Sequence, residues 1–330
     1  MTQAGGPYFE DLERGARFEA APALTLTEGH AALHQAIVGD RLRLALDATL
    51  SARVLGSERP LAHPALVCDV AIGQSTLATQ RVIANLFYRG LVLRRAPLIG
   101  DTLRTTTEVV ALRQTSPKPG RPATGLAVLR IRTTDQEERR VLDFWRCAML
   151  PLRDPEGRTG HDDDLAAIPS DLDAAALHGA VDGWDLTAYR AAVPGGHAAA
   201  LRDGQAWEIE GGDVVSAAPE LARLSLNVAM AHHDDGPSGR RLVYGGHTIG
   251  LAASQATRAL PALVTIAAWH GCDHVGPVYE GDTLHSALQL ERLEALPGGG
   301  ALAHLRSRVR AARDGQAAEV LDWRFVGVMA

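Results

Sequence analysis

The sequence is short of lysine, cysteine and aromatic residues, and what it lacks removes several classes of function. Lys118 is the only lysine among 33 lysines and arginines, which reads as codon bias and carries no functional weight. The three cysteines, Cys68, Cys147 and Cys272, form no CxxC pair and cannot all pair with one another, so reduced intracellular thiols are the simplest expectation. No run approaches the roughly 18 apolar residues needed to span a bilayer. The first thirty residues carry Glu10, Asp11, Glu13 and Glu19 without an apolar stretch, so no signal peptide is expected and a cytoplasmic, membrane-free protein is. A net charge of −6 without a basic stripe of interleaved aromatics argues against nucleic acid as a partner. Gly245-Gly246-x-x-x-Gly250 is not a dinucleotide-binding GxGxxG and lacks its βαβ context. His232-His233-Asp234-Asp235 matches no common zinc spacing, so no metal and no cofactor are expected. His161-Asp162-Asp163-Asp164 reads as a solvated acidic stretch.

What is present is a duplication. At 330 residues, 46% apolar and 22% charged, the chain has the length of two domains with real cores. Residues 85–114 (NLFYRGLVLRRAPLIGDTLRTTTEVVALRQ) match 266–295 (IAAWHGCDHVGPVYEGDTLHSALQLERLEA) at an offset of 181, with Gly-Asp-Thr-Leu in both. At the same offset, LAHPALVCDVAIGQST (61–76) lies over LVYGGHTIGLAASQAT (242–257); further on, at an offset of 179, Val141-Leu142-Asp143-Phe144 is echoed by Val320-Leu321-Asp322-Trp323. Blocks in one order, repeated once, mean two copies of a domain. The expected division is 1–151, a linker at 152–200 with one short helix near 185–192, and 201–330. Each half is expected to hold one helix, about 64–80 and 245–259, that is apolar or small nearly all round and therefore buried. Alternating Thr/Val-rich runs such as DTLRTTTEVVAL supply the strands.

The two copies differ where chemistry could sit. A helix N-terminus offers unpaired N–H groups and partial positive charge, which suits an oxyanion. Tyr244-Gly245-Gly246-His247 opens the second helix with both glycine amides intact, whereas Pro64 stands opposite Gly245 and has no N–H. Upstream, aligning Asp47 with Asp234 sets Asp40 opposite Asn227 and Ala45 opposite His232. The second copy alone keeps an imidazole at that position, the side chain best suited to acid/base work near neutrality.

These residues resemble the MaoC-like hydratases, whose motif is approximately G-D-x-N-P-x-H-x-D followed by a V-H-G helix opening. RLVYGGH (241–247) and the two-repeat layout are most similar to mesaconyl-CoA hydratases and related double-hotdog proteins. The resemblance implies an α+β fold of two hotdogs, each an antiparallel sheet wrapped around a central helix, forming a pseudo-dimer within one chain that could itself form a homodimer. It implies hydration of a trans-2-enoyl thioester of CoA or acyl-carrier protein, or dehydration of the (R)-3-hydroxyacyl form. By resemblance the acid/base histidine falls on His232, the acidic partner on Asn227, the thioester-carbonyl amide on Gly245, and an orienting carboxylate on Asp234. Asn227 cannot take a proton, so the expectation is that it positions water while His232 carries the proton.

Several readings stay open at this level. Arg240 and Arg241 fit either the phosphates of CoA or a solvated loop. Tyr244, Gly246 and His247 fit substrate contact as well as packing or capping. Cys272-Asp273-His274 lies on an expected strand whose neighbours face opposite ways, which rejects a nucleophile pair. A thioesterase would need an acidic group on a central helix, and Asp69 is the candidate there. A non-catalytic acyl-thioester binder is the third reading, motivated by Asn227.

Overall fold

The computed structural model describes residues 5–116, 120–235 and 239–330. Eight α-helices and twelve strands are assigned among them. The helices are α1 (Glu28–Val38), α2 (Arg43–Leu46), α3 (Ala48–Leu55), α4 (Pro64–Gln74), α5 (Ala174–Gly179), α6 (Leu186–Ala192), α7 (Ala218–Leu224) and α8 (Gly245–Ala259). Four long strands follow α4: β3 (Ala84–Leu93), β4 (Thr102–Gln114), β5 (Thr124–Thr134) and β6 (Arg140–Pro151). Four more follow α8: β9 (Leu263–His274), β10 (Thr283–Ala295), β11 (Ala301–Arg313) and β12 (Gln316–Met329). Short strands β1 (Arg17–Phe18), β2 (Leu24–Thr25), β7 (Ala206–Glu208) and β8 (Asp213–Val214) pair at the two outer edges.

All twelve belong to one sheet, ordered β1-β4-β5-β6-β3-β9-β12-β11-β10-β7, with β2 on β4 and β8 on β10. The seam is the antiparallel pairing of β3 with β9, where Tyr88 faces Cys272 and Phe87 faces Asp273. The sheet wraps α4 and α8, and both helices are buried along nearly their whole length, as a helix without a polar face must be. This is the double hotdog, an α+β architecture in which one chain supplies both halves of the usual dimer.

The repeated motifs prove to be structural devices. Asp101 Oδ2 accepts from Leu98 N–H at 3.0 Å, and Asp282 Oδ2 accepts from Tyr279 N–H at 2.8 Å, bracing the same turn in each copy. Gly100 and Gly281 precede them at φ +95° and +90°, a backbone region open to glycine. Gln74 and Gln255 each donate to a strand carbonyl, of Leu103 and of Leu284, tying helix to sheet.

Helices α1, α2, α3, α5 and α7 go beyond the sequence reading. In α1 only His34 and Val38 are buried, so its apolar stripe is too narrow to stand out. The helix expected near 185–192 is α6. Between the last strand of the first half and β7, the chain packs on the sheet: Tyr189 is buried and donates its hydroxyl to the Leu263 carbonyl, and Leu165 and Ile168 cover Ala111, Val128 and Cys147. No helix of the described residues is long and apolar enough to cross a membrane.

Candidate active site

A cavity of about 370 Å³ lies between the two halves. The second half contributes the loop after α7, the start of α8 and the end of β9, including Asn227, His232, Tyr244, Gly245 and His274. The first half contributes the 3-10 turn Ser75–Thr79 together with Asn85 and Tyr88 on β3 and Arg146 on β6. The loop is held against the first half by Val228 N–H on Thr76 Oγ1 and Met230 N–H on the Gln80 carbonyl, at 2.9 and 2.8 Å.

Asn227 opens this loop with an Asx turn, its Oδ1 accepting from Ala229 N–H at 2.9 Å. Asp40 makes the same turn in the first copy, with Oδ1 accepting from Leu42 N–H at 2.9 Å, so the two positions are equivalent in space as in the alignment. Among the described residues Asn227 Nδ2 has no protein acceptor, which leaves its donor end for a ligand or water. A 3-10 turn at Met230–His232 then turns the histidine inward.

His232 is 8% exposed, and its Nδ1 lies 2.9 Å from the Leu242 carbonyl. A carbonyl only accepts, so Nδ1 carries the hydrogen and Nε2 holds a lone pair. Burial pushes the imidazole down to about 4; the bond to Leu242 opposes this, while His233 and Arg146 add to it. The ring is therefore neutral at physiological pH and competent as a base.

Tyr244 is the N-cap of α8 by backbone conformation, and its ring lies 5.7 Å from that of His232. Gly245 follows as the first helical residue. Its N–H has no acceptor among the described residues, as expected of a helix's first turn. A Cβ here would fall 2.6 Å from His274 Cε1, so any side chain at this position would force that ring to shift. At Gly246 a Cβ would meet Asp69 Oδ1 and the Tyr244 ring, so this glycine serves helix packing and lies outside the cavity lining.

The other expected residues are not brought to the cavity. His247 is fully buried in the interior, where burial and His34 push it down to about 4. Asp234 is exposed and outside the lining. Arg241 pairs with Glu280 at 2.6 Å and with Asp235, while Arg240 lies over the Tyr279 ring and 3.9 Å from Asp282. Asp69 is 2% exposed and is not a lining residue; it lies behind Gly246 and Tyr244, with His34 Nε2 at 3.4 Å from its Oδ2.

The first copy closes its own equivalent site. His63 Nδ1 accepts from Ala65 N–H and its Nε2 bonds Asp40 Oδ1 at 2.9 Å, so side chains occupy the helix end. Burial would raise the Asp40 carboxyl, but His63 and the Leu42 amide hold it below the usual range. The first half thus contains imidazoles, but His63 is turned onto Asp40 and His34 toward Asp69 inside the protein.

Sequence reasoning missed His274, Tyr88, Asn85 and Arg146. His274 stands beside Gly245 with Nε2 sealed from solvent and without a partner, and burial lowers it to about 4. Arg146 is 3% exposed and is the only formally charged side chain among the described lining residues. No carboxylate is among the described lining residues, so the cavity's bases are the imidazoles of His232 and His274. No group of three or more potential metal ligands occurs among the described residues.

No family model matches the chain. It is 30% identical over 327 residues to the beta-methylmalyl-CoA dehydratase of Chloroflexus aurantiacus, covering 94% of this chain and 89% of that protein. It is 29% identical to the mesaconyl-CoA hydratase of Cereibacter sphaeroides, covering 92% and 89%. Among solved structures, a conserved hypothetical protein of Mycobacterium tuberculosis, described as having a double hotdog fold and as essential for survival during infection, superposes with a TM-score of 0.93. The two are 54% identical over the whole of both chains. With the composite cavity already described, these matches place the chain in the MaoC-like hydratase and dehydratase family, in its double-hotdog form.

Proposed function

We propose that this chain adds water reversibly to a trans-2-enoyl thioester to give the (R)-3-hydroxyacyl thioester. The observation that carries this is the opening of a neutral imidazole and a free helix-end amide onto one cavity. In the hydration direction, His232 Nε2 takes a proton from water as the water oxygen bonds to Cβ. The π electrons move onto the thioester oxygen, which accepts from Gly245 N–H, a contact commonly worth about 3–4 kcal/mol in such sites. The enolate then collapses and takes the proton on Cα from the His232 imidazolium. Asn227 orients the water through Nδ2. Asp234, Arg240 and Arg241 then act at the loop's outer face, holding its shape or meeting the carrier's phosphates, and Tyr244, Gly246 and His247 build the helix opening.

In this reading residues 201–330 supply the chemistry, 1–151 the far wall of the acyl cavity, and 152–200 the tether between them. CoA is the favoured carrier, since both curated relatives are named for CoA thioesters. The β3–β9 seam makes one chain a complete pseudo-dimer. A cytoplasmic location fits three buried cysteines that form no disulfide.

A panel of enoyl-CoA substrates, followed at the conjugated thioester absorbance, tests the reading. Loss of that absorbance without free thiol supports it. Thiol release that disappears in Asp69→Asn would favour a thioesterase, and tight acyl-CoA binding with no turnover of any substrate would favour a non-catalytic binder. Asp69 is buried behind Tyr244 and does not line the cavity, which speaks against the thioesterase.

A further inference from the structure

Every residue of α4 is buried, and Asp69 is the only one of them that carries a formal charge. A carboxyl in that setting costs stability unless polar groups face it. Two do. His34 of α1 places Nε2 3.4 Å from Oδ2. On the other side, Oδ1 meets the start of α8, which belongs to the opposite half. A Cβ on Gly246 would collide with Asp69 Oδ1 and with Cε1 and Cζ of Tyr244, so the space left by that glycine is where carboxyl and phenol come together. The Tyr244 hydroxyl is sealed from solvent and forms no hydrogen bond of full geometry among the described residues. Burial, and then the charge of Asp69, push the phenol well up, so it keeps its proton and has Asp69 as the acceptor it faces.

The first copy shows what the helix-opening side chain does without such a partner. At the repeat offset Tyr244 corresponds to His63, and Asp69 to Gly250. A Cβ on Gly250 would already lie 2.7 Å from Val38 Cγ1, so α8 has no room to send an acidic side chain back. His63 instead accepts from Ala65 N–H through Nδ1 and bonds Asp40 Oδ1 through Nε2, which caps the helix end and ties it to the loop. Backbone conformation does not separate the two residues, since φ and ψ are −58° and 128° at His63 and −60° and 131° at Tyr244. Their partners do. Tyr244 makes no cap bond, and Asn227, standing where the first copy has Asp40, lines the cavity.

We propose that Asp69, from the first half, is a positioning residue for the site in the second: it keeps the Tyr244 hydroxyl turned behind the cavity wall and so leaves the Gly245 amide and Asn227 clear for substrate. Tyr244 has a second place to go, because its ring lies 5.7 Å from that of His232 and lines the same cavity as Asn227. A buried donor left unpaired is costly, so without Asp69 the hydroxyl takes another partner. The polar loop at Asn227 is the counterpart of the one that His63 binds, and turning onto it repeats the closure of the first copy. The role of the Gly245 amide rests on the hydratase reading, but the placing of Tyr244 does not.

The test removes the carboxyl and then the hydroxyl, on the full chain, with a turnover arm and a binding arm. Leucine branches at the same atom as aspartate, so Asp69→Leu fills the space without a charge. It should lower kcat/KM for crotonyl-CoA by about 100-fold, the scale of losing one oxyanion donor. In calorimetry it should weaken the binding of butyryl-CoA, a saturated analogue, by about 10-fold. Adding Tyr244→Phe should bring both quantities back to within about threefold of Tyr244→Phe alone, since two apolar partners replace a polar pair at little cost. Asp69→Asn retains an acceptor oxygen and should keep most of the wild-type rate. A side chain that only packed α4 against α8 would not be rescued by deleting a hydroxyl. Wild-type rate and affinity in Asp69→Leu overturn the proposal. So does a loss in Asp69→Leu that Tyr244→Phe leaves unchanged, which would make Asp69 a packing residue. Should Asp69→Leu not fold, Asp69→Ala with and without Tyr244→Phe is read by the same criteria. Butyryl-CoA binding that is lost and regained in this order, with no hydration by any of the proteins, leaves the placing of Tyr244 standing and removes the hydratase reading.

Discussion

The Leu242 carbonyl accepts a hydrogen bond from His232 Nδ1 at 2.9 Å, and this contact decides which ring nitrogen faces the chemistry. With Nδ1 protonated, Nε2 is the base, and burial keeps the ring neutral down to about pH 4. Protonation of the free enzyme's base removes activity, so kcat/KM for hydration should fall only as pH drops through about 4 and stay flat from there to neutrality. An acid limb centred near the ordinary histidine value of about 6.5 would show that His232 is solvated or not the base.

Gly245 and His274 form a second coupled pair, since a Cβ on the glycine would lie 2.6 Å from the ring. Gly245→Ala should therefore lower kcat, and adding His274→Ala should restore most of the loss. Gly245→Pro reproduces the Pro64 of the first copy and suits a helix's first position, yet it deletes the N–H. In the His274→Ala background it should still cost about 10²–10³-fold in kcat. Recovery of Gly245→Pro to the level of Gly245→Ala in that background would remove the amide from the mechanism.

Asn227 separates shape from proton transfer. Aspartate makes the same Asx turn at Asp40, so Asn227→Asp should fold as well as the wild type. With no proton role to restore, its rate should change by less than about 10-fold, within the range of a single hydrogen bond. Asn227→Ala loses the turn as well, and should cost about 1 kcal/mol of stability in a denaturant titration together with about 10–100-fold in rate. A large gain in rate for Asn227→Asp would mean that the site works better with a carboxylate and that the wild-type residue is a disabling change.

His247 and His274 are held near 4 by burial, against about 6.5 in the unfolded chain. The unfolded state therefore takes up protons first as pH falls. Stability is whole above about 6.5, declines as pH drops toward about 4, and then levels for these groups. The loss should be of order 1–3 kcal/mol for each histidine, and His247→Gln should flatten the profile over this window. A melting temperature that is constant from pH 7 to 4 would contradict the buried, neutral assignment.

Much of this arrangement could be read from residue order. The duplication, the two buried helices and the glycine-for-proline difference are local or periodic features, and α8 begins at the expected Gly245. His232, Asn227 and Gly245 meet because they flank the same helix opening. Arg146 and His274 were harder to see because strand pairing, not sequence proximity, brings them in. The signal for Arg146 was nonetheless present: in VLDFWRCAML a cation falls on the face of Phe144 and Leu150. The second copy has Phe325 at the corresponding place, so the two copies differ here as well. For Arg240 and Arg241 the reverse holds. Nearby acidic groups engage them, Glu280 and Asp235 for Arg241 and Asp282 near Arg240, an outcome that depends on which turns the fold lays side by side.

The most direct test is the hydration rate of fumaryl-CoA and crotonyl-CoA by wild-type protein and by His232→Ala. The substitution should lower kcat on both substrates by about 10²–10⁴-fold while leaving the affinity for a saturated acyl-CoA within about threefold. Equal rates in the two proteins would contradict the account at its centre.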